Sequence, residues 1–94
     1  MKWDVVEVKP VAARVFKVWF ADGLAGTIRI PVSFCTGVFR ALLNDDVLMQ
    51  AQVVHGAVTW PNGLDLAPDT MYREILANPE RHYEVGSSAL HFPA

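Results

Sequence analysis

Alternating apolar and polar positions divide the first third of the chain into three short extended segments. From Trp3 to Val8 the residues are mostly β-branched or aromatic, with Asp4 and Glu7 interspersed, which predicts a strand ended by Lys9 and Pro10. Between Ala12 and Ala21, Phe16, Val18 and Phe20 share one face, while Val15, Lys17 and Trp19 share the other. Asp22 and Gly23 supply a turn. Leu24, Gly26, Ile28 and Ile30 then fall on one side of a third strand, opposite Thr27 and Arg29, and Pro31 ends it. Parallel neighbours would need a crossover of about a dozen residues or more, so the three strands are expected to form an antiparallel meander.

After Pro31 the period changes. Thr36 is placed to cap a short helix over Gly37 to Leu43, with Val38, Leu42 and Phe39 against the sheet and Asn44 as its stop. Asp45 and Asp46 open another turn of helix through Met49, where unpaired N–H groups favour carboxylates. The apolar runs Ala51 to Val54 and Ala57 to Trp60 are divided by His55 and Gly56, which suits a two-residue hairpin.

That hairpin delivers Trp60 to the stretch WPNGLDLAPD, Trp60 to Asp69. Pro61, Asn62 and Gly63 form a turn, because proline presets a negative φ and Asn and Gly tolerate the left-handed region. Leu64 and Leu66 then point inward with Asp65 on the opposite side. Pro68 suits a first helical position, which makes Ala67 the cap and leaves the Asp65 carboxylate unused by it. Met71, Tyr72, Ile75 and Leu76 recur at helical spacing, and Asn78 before Pro79 ends the helix. The expected fold is a single α+β domain over residues 1–78: a three-stranded antiparallel meander, a short helix, a β-hairpin and a C-terminal helix. Residues 79–94, around Gly86, Ser87 and Ser88, are expected to be a loose tail in which Tyr83, Val85, Leu90 and Phe92 could dock.

Composition narrows the function classes. A chain of 94 residues supports one domain, and its mean hydropathy of +0.23 leans apolar, which favours self-association or a protein partner. A net charge of -2 with scattered Lys and Arg gives no footprint for nucleic acid or anionic lipid, so neither is expected as a partner. Cys35 stands alone, so no intramolecular disulfide forms and a reducing cytoplasm is the expected location. The start has no sustained apolar h-region and nowhere do about 18 consecutive apolar residues occur, so neither a signal peptide nor a membrane span is expected.

Candidate chemistry is sparse. Cys35 precedes a predicted helix N-terminus, where a thiol can be activated; a nucleophilic role would also need a histidine such as His55 beside it in space, and the alternative is a small buried hydrophobe. His55, His82 and His91 lack ligand spacing, so no metal and no cofactor is expected. Asp45 and Asp46 are adjacent and cannot face each other across a helix. Trp60, Asn62 and Asp65 together offer an indole face, an amide and a carboxylate held by a rigid turn, unless Trp60 is core and the polar pair serves the turn. Trp3, Val15 and Trp19 form a second candidate surface on the sheet face away from the helices.

The motifs FADG at Phe20 to Gly23, GVFRAL at Gly37 to Leu42, the hairpin, and WPNGLDLAPD, in this order over Val5 to Tyr72, resemble a family of small bacterial proteins known as domain of unknown function 2442. The resemblance implies a compact α+β domain without established enzymatic activity, encoded beside other small proteins in arrangements like toxin and antitoxin pairs. Some relatives carry a helix-turn-helix DNA-binding domain; the stretch after Tyr72 lacks two helical patterns, so DNA binding is not carried over. The family supplies no catalytic residues. The expectation is a protein-interaction or regulatory module, with a small-molecule site or enzyme centred on Asp65 or Cys35 as the alternative.

Overall fold

The structure is a computed structural model, described over residues 1–87. β1 (Val5–Ala12), β2 (Val15–Phe20) and β3 (Ala25–Arg29) pair antiparallel in sequence order, so the meander forms as the alternation predicts. Phe16, Val18, Phe20 and Ile28 are buried on the inner face, while Lys17, Trp19 and Thr27 lie half-buried on the outer one. β1 corrects the expected stop at Lys9 and Pro10: it continues through Pro10, opposite Phe16, and turns at Ala13 and Arg14. It can do so because β1 is the edge of the sheet, where a missing N–H need not break a ladder bond.

The segment after β3 differs from expectation in its period. Val32–Phe34 and Gly37–Leu43 are 3-10 helices, and the Thr36 side chain makes no capping bond. With three residues per turn, Phe39 and Leu42 stack on one line and face inward, whereas Val38, expected against the sheet, is 74% exposed. Asn44 both ends this segment and caps α1 (Asp45–Leu48), its Oδ1 accepting from the N–H groups of Asp46 at 2.9 Å and Val47 at 3.4 Å. β4 (Gln52–Val54) and β5 (Ala57–Thr59) form the hairpin, with positive φ at both His55 and Gly56 as a type I′ turn demands. It is tied to the edge of the larger sheet through Val5 N–H donating to the Gly56 carbonyl at 2.8 Å.

α2 (Pro68–Ala77) starts at Pro68 with Ala67 as N-cap, as expected. Its inner face carries Met71, Tyr72, Glu74 and Ile75; a rotation of about 100° per residue carries Leu76 out of that face, and it is exposed. The chain then returns as β6 (His82–Glu84), parallel to β3, giving the sheet order β1-β2-β3-β6. This corrects the expected looseness after residue 78 for this stretch; residues 88–94, with Leu90 and Phe92, lie outside the described residues. Only three residues form β6, but their pairing is reinforced from the side chains. Tyr83 is buried, the Thr27 hydroxyl meets His82 Nδ1 at 2.7 Å, and Arg29 pairs with Glu84.

Two contacts set the position of α2. A Cβ on Gly26 would lie 2.6 Å from the Arg81 carbonyl oxygen and 2.6 Å from Ile75 Cγ2, so the helix and the start of β6 approach β3 through a gap only glycine leaves. At the other end the Tyr72 hydroxyl donates to Asp22 Oδ2 at 2.5 Å, and Lys2 Nζ sits 5.7 Å from the ring centre. Gly26→Ala should therefore destabilise the fold by about 1–3 kcal/mol in urea unfolding; an unchanged midpoint would show that α2 does not need this gap.

The Tyr72 bond, followed by the Leu24 N–H, holds Asp22 below the usual carboxylate range, and the same bond, followed by burial, raises the Tyr72 phenol. The depressed carboxylate contributes stability above its unfolded value and loses it as pH falls through its folded one. The raised phenol contributes below its unfolded value and loses it as pH rises through its folded one. Tyr72→Phe should thus unfold more easily than wild type at neutral pH, with the difference shrinking in acid and in strong alkali. A pH-independent difference in urea midpoints would contradict the clasp.

Candidate functional site

The corner at Trp60 is a three-residue turn closed by backbone bonds: Trp60 N–H to the Leu64 carbonyl at 2.8 Å and Gly63 N–H to the Trp60 carbonyl at 2.9 Å. Gly63 sits at φ +89, and Asn62 Oδ1 accepts from Leu64 N–H at 3.2 Å. The β2–β3 turn is built from the same set. Phe20 N–H bonds the Leu24 carbonyl at 2.8 Å, Gly23 N–H bonds the Phe20 carbonyl at 3.0 Å, Gly23 has φ +94, and Asp22 Oδ1 accepts from Leu24 N–H at 2.9 Å. FADGL and WPNGL are therefore one device used twice, an aromatic, a turn, an Asx bond and a left-handed glycine. After the second copy the chain runs back along β5, with Asp65 bridged to Thr59 and Leu66 N–H bonded to the Val58 carbonyl at 3.0 Å. That pairing fixes the alternation: Leu66 is buried, Leu64 half-buried and Asp65 exposed.

The three candidate residues of this corner have separate fates. Trp60 is 1% exposed and its indole N–H donates to the Leu48 carbonyl at 2.9 Å, so its ring joins the corner to α1 and offers no face to a partner. Asn62 is engaged in the turn. Asp65, exposed like Asn62 but with no side-chain bond in the turn, lies beside a concavity of about 440 Å³ between the start of α2, the end of β6 and the 3-10 segments. Its apolar walls include Phe34, Phe39, Pro68, Met71 and Val85. A second concavity of about 760 Å³ shares Phe34, Phe39, Val85 and Gly86 and extends to Arg29 and Glu84. The shared wall is the pair of rings Phe34 and Phe39, 4.6 Å apart and tilted by 41°. Gly86, at φ +94, lets the chain pass close beneath Phe34: a Cβ there would lie 3.0 Å from the ring. Sequence reasoning passed over Phe34 and took Val85 and Gly86 only as parts of a loose tail, Val85 able to dock at no stated place. The one signal for the first was the crowding of Val32, Phe34, Val38 and Phe39 into a stretch too short to bury them all.

The second candidate surface divides. Trp3 packs against the buried core, whereas Trp19 lies on the outer sheet face under Lys17, whose Nζ is 5.1 Å from the ring centre. Glu7 is opposite Trp19, Lys9 is opposite Lys17, and Arg29 and Glu84 pair on the neighbouring strands, so this face is a charged lattice around one indole. Trp3 thus lies with the core, while Val15 and Trp19 stay on the outer face with Lys17 between them.

Cys35 is buried, and its sulfur accepts from Arg14 Nη2 at 3.2 Å and donates to the Pro31 carbonyl at 3.5 Å. Arg14, left-handed at φ 58, also donates to the carbonyls of Ile30 at 2.7 Å and Leu42 at 2.9 Å, and pairs with Asp45 at 3.4 Å. Cys35 and Asp45 are thus parts of an arginine clamp holding the 3-10 segments to the sheet. Among the described residues no group of three or more His, Cys, Asp or Glu could hold a metal ion, and no helix is long and apolar enough to cross a membrane.

Fold and site together define a small α+β domain whose accessible feature is an apolar groove with one carboxylate on its rim. The sequence profile of the family described as protein of unknown function DUF2442 matches residues 5–77, and the chain belongs to that family. Comparison with curated proteins and with solved structures gave no match.

Arg14→Ala would strip the donors from the Ile30 and Leu42 carbonyls. It should cost about 1–3 kcal/mol in urea unfolding and speed the reaction of Cys35 with DTNB. Labelling at the wild-type rate would show that the thiol is shielded by something other than this clamp.

Proposed function

We propose that this protein is a protein-interaction module, one half of a small toxin–antitoxin-like pair working in the cytoplasm, and that its partner seats in the groove beside Asp65. The observation that carries this reading is the groove itself. Half-buried phenylalanine rings, Pro68 and Met71 give an apolar floor, and one exposed carboxylate orients what lies on it. Protein interfaces are anchored by such apolar centres with a polar rim. Val32, Val38 and Leu43, all exposed on the adjoining segment, extend the apolar surface that a partner or a second copy would cover. The contact moves from Trp60, which supports the corner from within, to Asp65 and the groove, and no bond-making chemistry is invoked.

A second reading, a small-molecule site or enzyme centred on Asp65, draws on one observation: about 440 Å³ lies within the range of ligand pockets. Co-expression of the chain with the tagged product of any small gene that flanks its own, as the family resemblance implies, separates the two. The product should co-purify with wild type and with Trp19→Ala, and recovery should fall about tenfold with Phe39→Ala, the size of one lost interface anchor. Equal recovery with Phe39→Ala would remove the groove from the contact. Absence of a wild-type complex would remove the toxin–antitoxin-like pairing.

A further inference from the structure

We infer that the groove takes an extended segment of a partner in which a Lys or Arg stands beside an aliphatic or aromatic anchor. This rests on the protein-interaction reading and goes further by naming the chemistry of what is bound.

Charge decides the first part. The Asp65 carboxylate is exposed on the rim and, among the described residues, accepts no hydrogen bond and forms no ion pair. It is also not consumed as the cap of α2, which is Ala67. The nearest further charge on α2, Asp69, is met by Arg73 only at 3.9 Å. At the far end Arg29 is neutralised by Glu84. The groove therefore presents a net negative rim at one end and a balanced pair at the other, and a cation on the occupant is its complement.

The walls decide the anchor, and the far end decides the backbone. Phe34 and Phe39 are tilted apart with neither ring fully covered, facing Met71 and Pro68 across the cleft, a setting for one apolar side chain. Beyond them the Ser33 and Thr36 hydroxyls line the wider concavity, and neither is engaged in a hydrogen bond among the described residues. An extended chain has unpaired N–H and C=O groups for such hydroxyls, whereas a helix has already satisfied its own.

The test is selection of a random peptide library displayed on phage against the whole chain, followed by binding of the best synthetic peptide in fluorescence polarisation. The expected winners carry Lys or Arg within a few positions of a large apolar residue. Asp65→Asn should weaken the peptide about three- to five-fold, the size of one exposed ion pair, and remove most of its salt dependence. Phe39→Ala should weaken it about tenfold or more. Asp65 makes no internal side-chain bond, so its variant should keep the wild-type thermal midpoint, which separates a binding loss from unfolding. Selection against Asp65→Lys should turn the preferred charge acidic. Winners without a basic residue, winners with helical i, i+3, i+4 spacing, affinity indifferent to Asp65→Asn, or no enrichment would each overturn the inference. A gene-neighbour product that co-purifies while the peptides lack basic residues would refute the inference alone. Basic, Asp65-dependent peptides without such a product would instead refute only the toxin–antitoxin-like pairing.

Discussion

The closeness of α2 to β3 at Gly26 is the constraint from which the rest of the structure follows. Because no side chain stands there, Ile75 and the Arg81 carbonyl settle onto the strand, and the Arg81 carbonyl accepts the Thr27 N–H at 2.9 Å. That bond begins the parallel pairing of β6, which carries Val85 and Gly86 to the place where Phe34 packs on them. A wider crossing would unpair β6 and open the groove. The groove is thus set by an absence of atoms beneath the helix, some distance along the chain from the residues that line it.

A second dependency runs through Arg14. The stretch from Pro31 to Asp45 has too little regular structure to satisfy its own backbone, since 3-10 segments are short and their bonds poorly aligned. One arginine, held in a left-handed conformation at the β1–β2 turn, reaches across to the Leu42 carbonyl and Cys35 within it and to the Ile30 carbonyl just before it. A charged donor in a half-buried site makes stronger bonds than a neutral one, and Arg14 places those bonds where a helix would otherwise be needed. The consequence for function is indirect. Phe34 and Phe39 belong to this pinned segment, so the groove wall is held without being filled.

The repeated turn explains why Asp65 is outward while Trp60 is inward. In both copies the aromatic residue closes the backbone ring and drops into the core, and the Asx side chain is consumed one residue before the glycine. In the first copy the aspartate has a second oxygen left, which takes the Tyr72 hydroxyl and ties the turn to α2. In the second copy an asparagine fills that place, and the carboxylate appears three residues later, beyond the closed turn and on the solvent side of the bridge to Thr59. The same local device therefore yields a structural clasp at one site and leaves an exposed carboxylate beside the groove at the other.

Local chemistry was enough to read the meander, the two-residue hairpin, the Pro61 to Gly63 corner and the start and stop of α2, because period-2 alternation, left-handed Gly and N1 proline act within a few residues of themselves. It also placed Asp65 outside the cap and outward. Whether Trp60 was anchor or core, whether Trp3 and Trp19 shared a face, and whether Pro10 ended a strand all turned on neighbours far away in the chain: the Leu48 carbonyl, the buried cluster and the edge position of β1. The fourth strand was invisible for the same reason, since His82, Tyr83 and Glu84 become a strand only by pairing directly with Thr27, Ile28 and Arg29 of β3, far back in the chain. The groove draws on residues 29 to 39, 65 to 71 and 83 to 87, and no local pattern in the chain records that packing brings these three stretches together.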